Sequence, residues 1–232
     1  MQKEKIVIVG NGPVAHKFIE VMLASGKKDQ YSITVIGEEK LPAYNRVYLT
    51  AWFETRDASG IEMGTSAFYS DNNINCITNE KITEINRADK TLTAQSGNSY
   101  AYDTLVLATG SYPFVPPVPG HDRKNTFVYR TIDDLEAITE AAKTAKVGAV
   151  VGGGLLGLEA AKALHDLSLK THVVEFAPRL MAVQVDDGGG DILSGKIIGA
   201  AIDVYPEEPK TNDETFESIL KAHKNVYHLL QK

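Results

Sequence analysis

Ile6-Val7-Ile8-Val9-Gly10-Asn11-Gly12-Pro13-Val14-Ala15 is one of two stretches that decide the fold, and Val147-Gly148-Ala149-Val150-Val151-Gly152-Gly153-Gly154-Leu155-Leu156-Gly157 is the other. In each, an apolar run rich in β-branched residues, typical of a strand buried on both faces, enters a Gly-rich turn and an apolar helical pattern follows. One such turn is a weak signal. Two, each in a strand–turn–helix–strand context with an acid downstream, predict an α/β protein with two Rossmann-like dinucleotide-binding units.

In the first unit Val14, Phe18, Val21 and Met22 recur at helical spacing, and residues 32–36 form the next strand pattern. Gly10 makes the tight turn, Gly12 lets the backbone approach a pyrophosphate, and the small Ala15 permits close helix–strand packing. The free N–H groups of the new helix then face the phosphates. Glu38, just past the second strand, is placed to hydrogen-bond a ribose hydroxyl; the plainer alternative is a solvated glutamate beside a structural turn.

Composition narrows the class. The chain has 232 residues, enough for one large domain or two modest ones. A net charge of -6 gives no reason to expect nucleic acid or an anionic membrane as partner. There is no apolar run of transmembrane length, and Met1-Gln2-Lys3-Glu4-Lys5 leads straight into a strand pattern, so no signal peptide is expected and the expected location is cytoplasmic. Cys76 is the single cysteine, which excludes an internal disulfide, a CxxC pair and a cysteine-rich metal site within the chain. None of the six histidines sits in a ligand or triad pattern, so neither a metal site nor a side-chain catalyst is expected; His16 reads as a packing or surface residue.

Between the two units, short alternating runs at 82–85, 91–93 and 99–102, separated by turn-forming stretches, predict a small antiparallel insertion. A strand pattern at 104–108 ends in Thr109-Gly110-Ser111, small residues that let a ligand approach the carboxyl edge of the sheet. Pro113-Phe114-Val115-Pro116-Pro117-Val118-Pro119-Gly120 reads as a stiff connection and places a domain boundary near 112–120. Thr131 with Asp134 predicts a capped helix running to about Ala145. In the second unit a helix is expected over 155–167 and a returning strand over 171–174. Glu175, at its end, favours a free 2′-hydroxyl over a 2′-phosphate, with Arg179 nearby keeping the phosphorylated alternative open.

Residues 1 to about 193 resemble the pyridine nucleotide-disulfide oxidoreductase-like flavoproteins, and within them the FAD/NAD-binding region of NADH-dependent nitrite reductase large subunits. The resemblance is carried by Ile8-Val9-Gly10-Asn11-Gly12, Ala43-Tyr44-Asn45-Arg46-Val47, Leu107-Ala108-Thr109-Gly110-Ser111-Tyr112-Pro113, Val128-Tyr129-Arg130-Thr131 and residues 152–161 with Val174-Glu175-Phe176-Ala177-Pro178. It implies FAD on the first unit, contacted by Gly10, Gly12, Pro13 and Ala15 at the turn and by Glu38 at the adenosine ribose. Arg46 would reach the FAD phosphates, Ile82 the adenine through its backbone, and Ala108, Thr109 and Gly110 would form a second FAD contact. It implies NADH on the second unit, held by Gly152, Gly154, Leu155 and Gly157, with Glu159 near the nicotinamide and Glu175 on the ribose. Without the surrounding pattern Arg46 reads as a surface arginine and Glu159 as a helix-surface residue.

Past Asp191-Ile192-Leu193 the family pattern is expected to stop, leaving both units truncated and the iron–sulfur and sirohaem regions outside the chain. Residues 194–226 resemble D-3-phosphoglycerate dehydrogenase instead, with Asp203 and Glu208 at matching positions but Gln231 where that family has its catalytic histidine. A strand over 197–204 and a short amphipathic helix over 216–223 are expected there. The chain therefore reads as a first part of an FAD-binding domain (1–116), a partial NAD-binding domain (117–193) and a foreign-looking tail (194–232).

Two functions remain open at this point. One is an FAD-dependent NAD(P)H oxidoreductase module, the electron-input part of a nitrite-reductase-like enzyme of nitrate assimilation. The partners expected are an iron–sulfur or sirohaem acceptor outside the chain and a second copy in a homodimer. The alternative is a non-catalytic dinucleotide-binding fragment fused to a 2-hydroxyacid dehydrogenase segment.

Overall fold

The computed structural model describes residues 3–193, 200–202 and 226–228, with side chains described from 3 to 190. The chain packs as two compact units, residues 1–144 and 145–232.

The first unit is built on a four-stranded parallel sheet. Strand β1 (Glu4–Val9) leads into α1 (Pro13–Ala24), followed by β2 (Tyr31–Ile36). A 3-10 segment (Arg46–Ala51), two short helices, α2 (Trp52–Thr55) and α3 (Ser66–Asp71), and β3 (Asn75–Ile77) come next. An antiparallel insertion of β4 (Ile82–Asn86), β5 (Thr91–Ala94) and β6 (Ser99–Ala101) precedes β7 (Thr104–Leu107). The sheet order is β3-β2-β1-β7, all parallel. The chain therefore builds to one side of β1 through β2 and β3, then crosses to the other side with β7. Beside such a reversal of strand order, open parallel sheets bind their ligands.

The alternating side chains of β1 serve two different cores. Ile6 and Ile8 join Ile19 of α1, Tyr69 of α3, Ile33, Val35 and Ile74 in one buried cluster. Val7 and Val9 point to the opposite face, where Leu92 and Tyr102 from the insertion meet Ile36. Burial of each large aliphatic side chain contributes about 1.5–3 kcal/mol, so a sheet with both faces covered gains twice from the same strand. The insertion covers the face of the sheet that α1 and α3 leave open. His16 belongs to the first face, 4% exposed and 4.8 Å from the Phe68 ring, a packing residue as its position in the helix suggests.

Glu80 fastens the insertion to the sheet. Its backbone N–H donates to Gly37 at 2.9 Å, and its buried carboxylate accepts from Ser96 (2.9 Å), Asn98 (2.8 Å) and the Tyr100 hydroxyl (3.2 Å). After the proline stretch comes α4 (Ile132–Ala142), whose capping box pairs Thr131 with Asp134 as the sequence predicts, although it stops short of Ala145. This helix packs in the first unit: Lys40 bridges Asp133 (2.7 Å) and Glu136 (2.5 Å), and Arg56 donates to Thr139 (2.7 Å). The division between the compact units thus falls beyond the proline stretch, after α4.

The second unit repeats the first strand–turn–helix–strand pattern. Strands β8 (Val147–Val151) and β9 (Lys170–Val174) pair in parallel, joined by α5 (Leu155–Asp166). Helix α6 (Asp187–Leu193) forms despite three consecutive glycines. Asp186 accepts from the Gly189 N–H at 2.9 Å, and the Arg179 guanidinium pairs with Asp187 at the helix start. Of the tail strand expected at 197–204, Ala200–Ile202 is described as β10, parallel to β11 (Val226–His228). The expected helix over 216–223 and the positions Asp203, Glu208 and Gln231 lie outside the described residues.

The three donors around Glu80, Asn98 first among them, hold its carboxyl below the ordinary 4.5. Because the folded value is depressed, the stabilisation is fully present above pH 4.5 and is lost as pH falls below it toward the folded value. Glu80→Gln is expected to flatten the acid limb of a Tm-against-pH profile measured between neutral pH and pH 3. Identical acid limbs in the two proteins would contradict this role.

Candidate functional site

The carboxyl edge of the first sheet collects most of the residues expected to hold a nucleotide. Gly10 adopts φ +100°, and its N–H donates to Ile36 of β2 at 2.8 Å. A Cβ on Gly10 would stand 2.2 Å from the Ala108 carbonyl oxygen and 2.9 Å from the Thr109 nitrogen. The turn after β1 thus lies directly against the segment after β7, bringing the two expected contact segments together. Ala108 completes the link by donating to Val9 at 2.8 Å.

Gly12 is different. A Cβ there would meet nothing within 4 Å, and it is the N-cap of α1 with no side-chain cap. The first N–H groups of a helix have no partner within the helix and attract anions. Pro13 at the helix start lacks an N–H and presets the helical φ. Ala15 is fully buried, which fits the close packing expected of it. The fit to a pyrophosphate is therefore physical: open space in front of an uncapped helix terminus, walled behind by buried backbone.

Glu38 stands at the same edge, partly exposed, 3.1 Å from the Lys81 ammonium and 3.2 Å from the Tyr112 hydroxyl. Beside it lies an open cleft of about 450 Å³ whose lining includes Glu38, Asn79, Lys81 and Ser96. Ile82 starts β4 immediately after Lys81. Arg46, half-buried, is engaged within the protein: its guanidinium pairs with Glu39, donates to the Tyr44 hydroxyl and to the Arg130 carbonyl (2.9 Å each), and lies 4.9 Å from the Tyr44 ring centre. The Tyr44 hydroxyl also donates to Glu39, and burial followed by that carboxylate pushes its pKa far up. Gly110 adopts φ +69°, with Arg130 alongside.

The second turn reproduces this geometry. Gly152 donates to Val174 at 2.8 Å, as Gly10 does to Ile36, and Leu158 donates to Gly154 at 3.0 Å, as His16 does to Gly12. Gly154 caps α5 without a side-chain bond and has open space where its Cβ would be. Leu155, first in the helix, is exposed. Gly157 takes the position of Ala15, but here a Cβ would stand 2.0 Å from the Gly152 carbonyl oxygen, so no larger residue fits. Glu175 closes the turn: its carboxylate accepts from the N–H groups of Gly153 (2.5 Å) and Ala177 (2.7 Å), which hold its pKa below the ordinary value. Glu159 lies half-buried on α5.

Several participants carry no sequence signal. Asn11, Tyr69 and Cys76 meet behind the first turn although they are far apart in the chain. Lys81, just before β4, and Tyr112, beyond β7, both reach Glu38. Arg179, read from sequence as a candidate for a 2′-phosphate, is committed to the α6 segment through Asp187 and the carbonyls of Ala182 and Val185. Among the described residues there is no group of three or more His, Cys, Asp or Glu arranged to hold a metal ion, and no helix long and apolar enough to cross a membrane.

The chain is 45% identical to the NADH nitrite reductase large subunit of Escherichia coli over 97% of its own length and 26% of that protein. It is 46% identical to the NAD(P)H nitrite reductase large subunit of Klebsiella oxytoca over 91% of its length and 22% of that protein. The chain thus spans about a quarter of the length of these two curated relatives. The crystal structure of NADH:rubredoxin oxidoreductase from Clostridium acetobutylicum superposes with a TM-score of 0.72 at 31% identity, covering 84% of this chain and 50% of that one. The family model of the pyridine nucleotide-disulphide oxidoreductases matches residues 4–224, so the family pattern does not stop after Leu193 as the sequence reading expects. With both turns, their helices and the intervening insertion inside that match, the chain belongs to the pyridine nucleotide-disulphide oxidoreductase family.

Proposed function

We propose that the chain is the electron-input module of a nitrite-reductase-like flavoprotein of nitrate assimilation, binding FAD on the first unit and NADH on the second. The observation that carries this reading is the pair of uncapped helix N-termini, each fronted by a glycine with open space before it, at Gly12 and Gly154. When bound, NADH supplies a hydride and FAD accepts it; the chemistry belongs to the cofactors.

The chain's own residues bind and orient. Gly10, Gly12, Pro13 and Ala15 present the α1 terminus to the FAD pyrophosphate. Glu38, within the cleft, takes the adenosine ribose, exchanging its contacts to Lys81 and Tyr112 for the hydroxyls. Ile82 borders the adenine, and Ala108, Thr109 and Gly110 form the second contact from the end of β7. Arg46 reaches the phosphates by giving up part of its pairing with Glu39, a role that suits its multiple donors. On the second unit Gly152, Gly154, Leu155 and Gly157 hold NADH, and Glu159 lies toward the nicotinamide. Glu175, kept ionised by two backbone donors, favours the ribose hydroxyl over a 2′-phosphate, and Arg179 is occupied elsewhere.

The domain limits we propose are 1–116 for the FAD-binding part, 117–193 for the NAD-binding part and 194–232 for the tail, with α4 as a connecting helix that packs back on the first unit. The electron acceptor is an iron–sulfur or sirohaem centre outside this chain, the location is cytoplasmic, and a second copy is the remaining partner.

The direct test is the visible spectrum of the purified chain, reconstituted with FAD under anaerobic conditions, before and after NADH. Flavin absorbance that bleaches on adding NADH is expected. A chain that binds no FAD, or binds it without bleaching, leaves only the dinucleotide-binding alternative. A second prediction separates the glycines. Gly10→Ala is expected to cost about 3 kcal/mol or more in stability, through strained backbone and collision with Ala108. Gly12→Ala should change stability by less than about 1 kcal/mol yet weaken FAD roughly tenfold, since its Cβ enters the ligand's space. Chemical denaturation and FAD titration measure the two effects. Equal stability losses would overturn the assignment.

A further inference from the structure

The residue between the first two glycines of the turn pattern carries no requirement of its own, yet here it is the most connected side chain of the turn. The Asn11 Oδ1 accepts from the Tyr69 hydroxyl at 3.0 Å, and its Nδ2 donates to the Cys76 Sγ at 3.4 Å. Its Cβ lies 3.0 Å from where a Cβ on Gly37 would stand, wedging it against the turn after β2. Tyr69 is 3% exposed, and it fits because residue 64 is glycine: a Cβ there would stand 2.6 Å from the Tyr69 oxygen. Burial raises the pKa of both Tyr69 and Cys76, so the phenol stays a donor and the thiol stays neutral.

The residue type is selective. An amide offers an acceptor and a donor on one short planar group, so Asn11 satisfies the phenol and the thiol at once. Asp has no donor for the sulfur, and Leu, of nearly the same shape, has neither. The turn needs such a tie. Glycine stands on each side of Asn11 and loses more conformational freedom on ordering than other residues do, and freedom left in a binding loop is lost on binding at the expense of affinity.

We propose that Asn11 is the positioning residue of the first turn, tying the nucleotide-facing backbone at Gly10 and Gly12 to α3 through Tyr69 and to β3 through Cys76. Its consequence for affinity rests on the FAD reading above; the tie itself does not. Removing it leaves the free N–H groups of α1 in place but no longer aimed at one point.

The test combines amide hydrogen exchange of the ligand-free chain with FAD and ADP titrations of Asn11→Leu, Tyr69→Phe and Cys76→Ser. Asn11→Leu is expected to speed exchange across residues 10–15 and to raise the dissociation constants of FAD and ADP about tenfold, the size of one or two lost hydrogen bonds. Tyr69→Phe should move both readouts the same way by less, and it decides the matter if Asn11→Leu does not fold. Cys76→Ser, which keeps an acceptor for Nδ2, should stay within about twofold of the parent. Unchanged exchange and unchanged affinity in the first two variants would overturn the positioning role while leaving FAD binding intact. A parent chain that binds neither FAD nor ADP would instead defeat the FAD reading, and the exchange comparison would still decide the role of Asn11.

Discussion

The backbone of Gly10 and the carbonyl of Ala108 approach so closely that no side chain can stand between them: a Cβ would lie 2.2 Å from the oxygen. This contact joins the end of β1 to the end of β7, on the opposite side from β2. It thereby fixes the point at which the strand order reverses. The α1 terminus emerges at that point, uncapped, with Glu38 arriving from the end of β2 and Ala108, Thr109 and Gly110 from the end of β7. Three segments far apart in the chain share one edge because one glycine lets two strand ends meet.

The second unit meets the same demand one step later. Its turn has open space at Gly154 and repeats both backbone hydrogen bonds of the first, but the tight contact lies between Gly157 and the Gly152 carbonyl. Ala15 is tolerated in the first unit where only glycine fits in the second. The two turns also differ in how they are held. An acid, Glu175, grips the second by accepting from Gly153, whereas the first is held by an amide, Asn11, through a phenol and a thiol. The units differ again in cover: Val9 is buried beneath the insertion, but Val151, at the corresponding place before its glycine turn, is 71% exposed.

Much of this was legible in the sequence because it is periodic or local. The β1 and β8 runs, the turns, the three alternating strands of the insertion and the Thr131–Asp134 capping box all announce themselves within a few residues. Helices α2 and α3 and strand β3 do not. They are too short to show a period, and Trp52, Phe53 and Tyr69 are buried through tertiary contacts that no local pattern encodes. The same reason hid the links from Asn11 to Tyr69 and Cys76 and from Glu38 to Lys81 and Tyr112. The three glycines at 188–190 carry no helical pattern, yet they lie in helix α6, where Asp186 accepts from the Gly189 N–H and Arg179 pairs with the Asp187 side chain. Arg46 was recognisable by its surrounding motif, but its pairing with Glu39 and Tyr44 depends on how the chain folds back after β2.

The central claim is that each turn serves a different nucleotide. Amide hydrogen exchange of the intact chain, with FAD alone and with NADH alone, addresses it directly. FAD is predicted to protect residues 10–15 and 108–110 and to leave 152–157 as they are, while NADH protects 152–157 and 175–177. Protection of the same turn by both nucleotides, or of neither turn by either, would contradict the account.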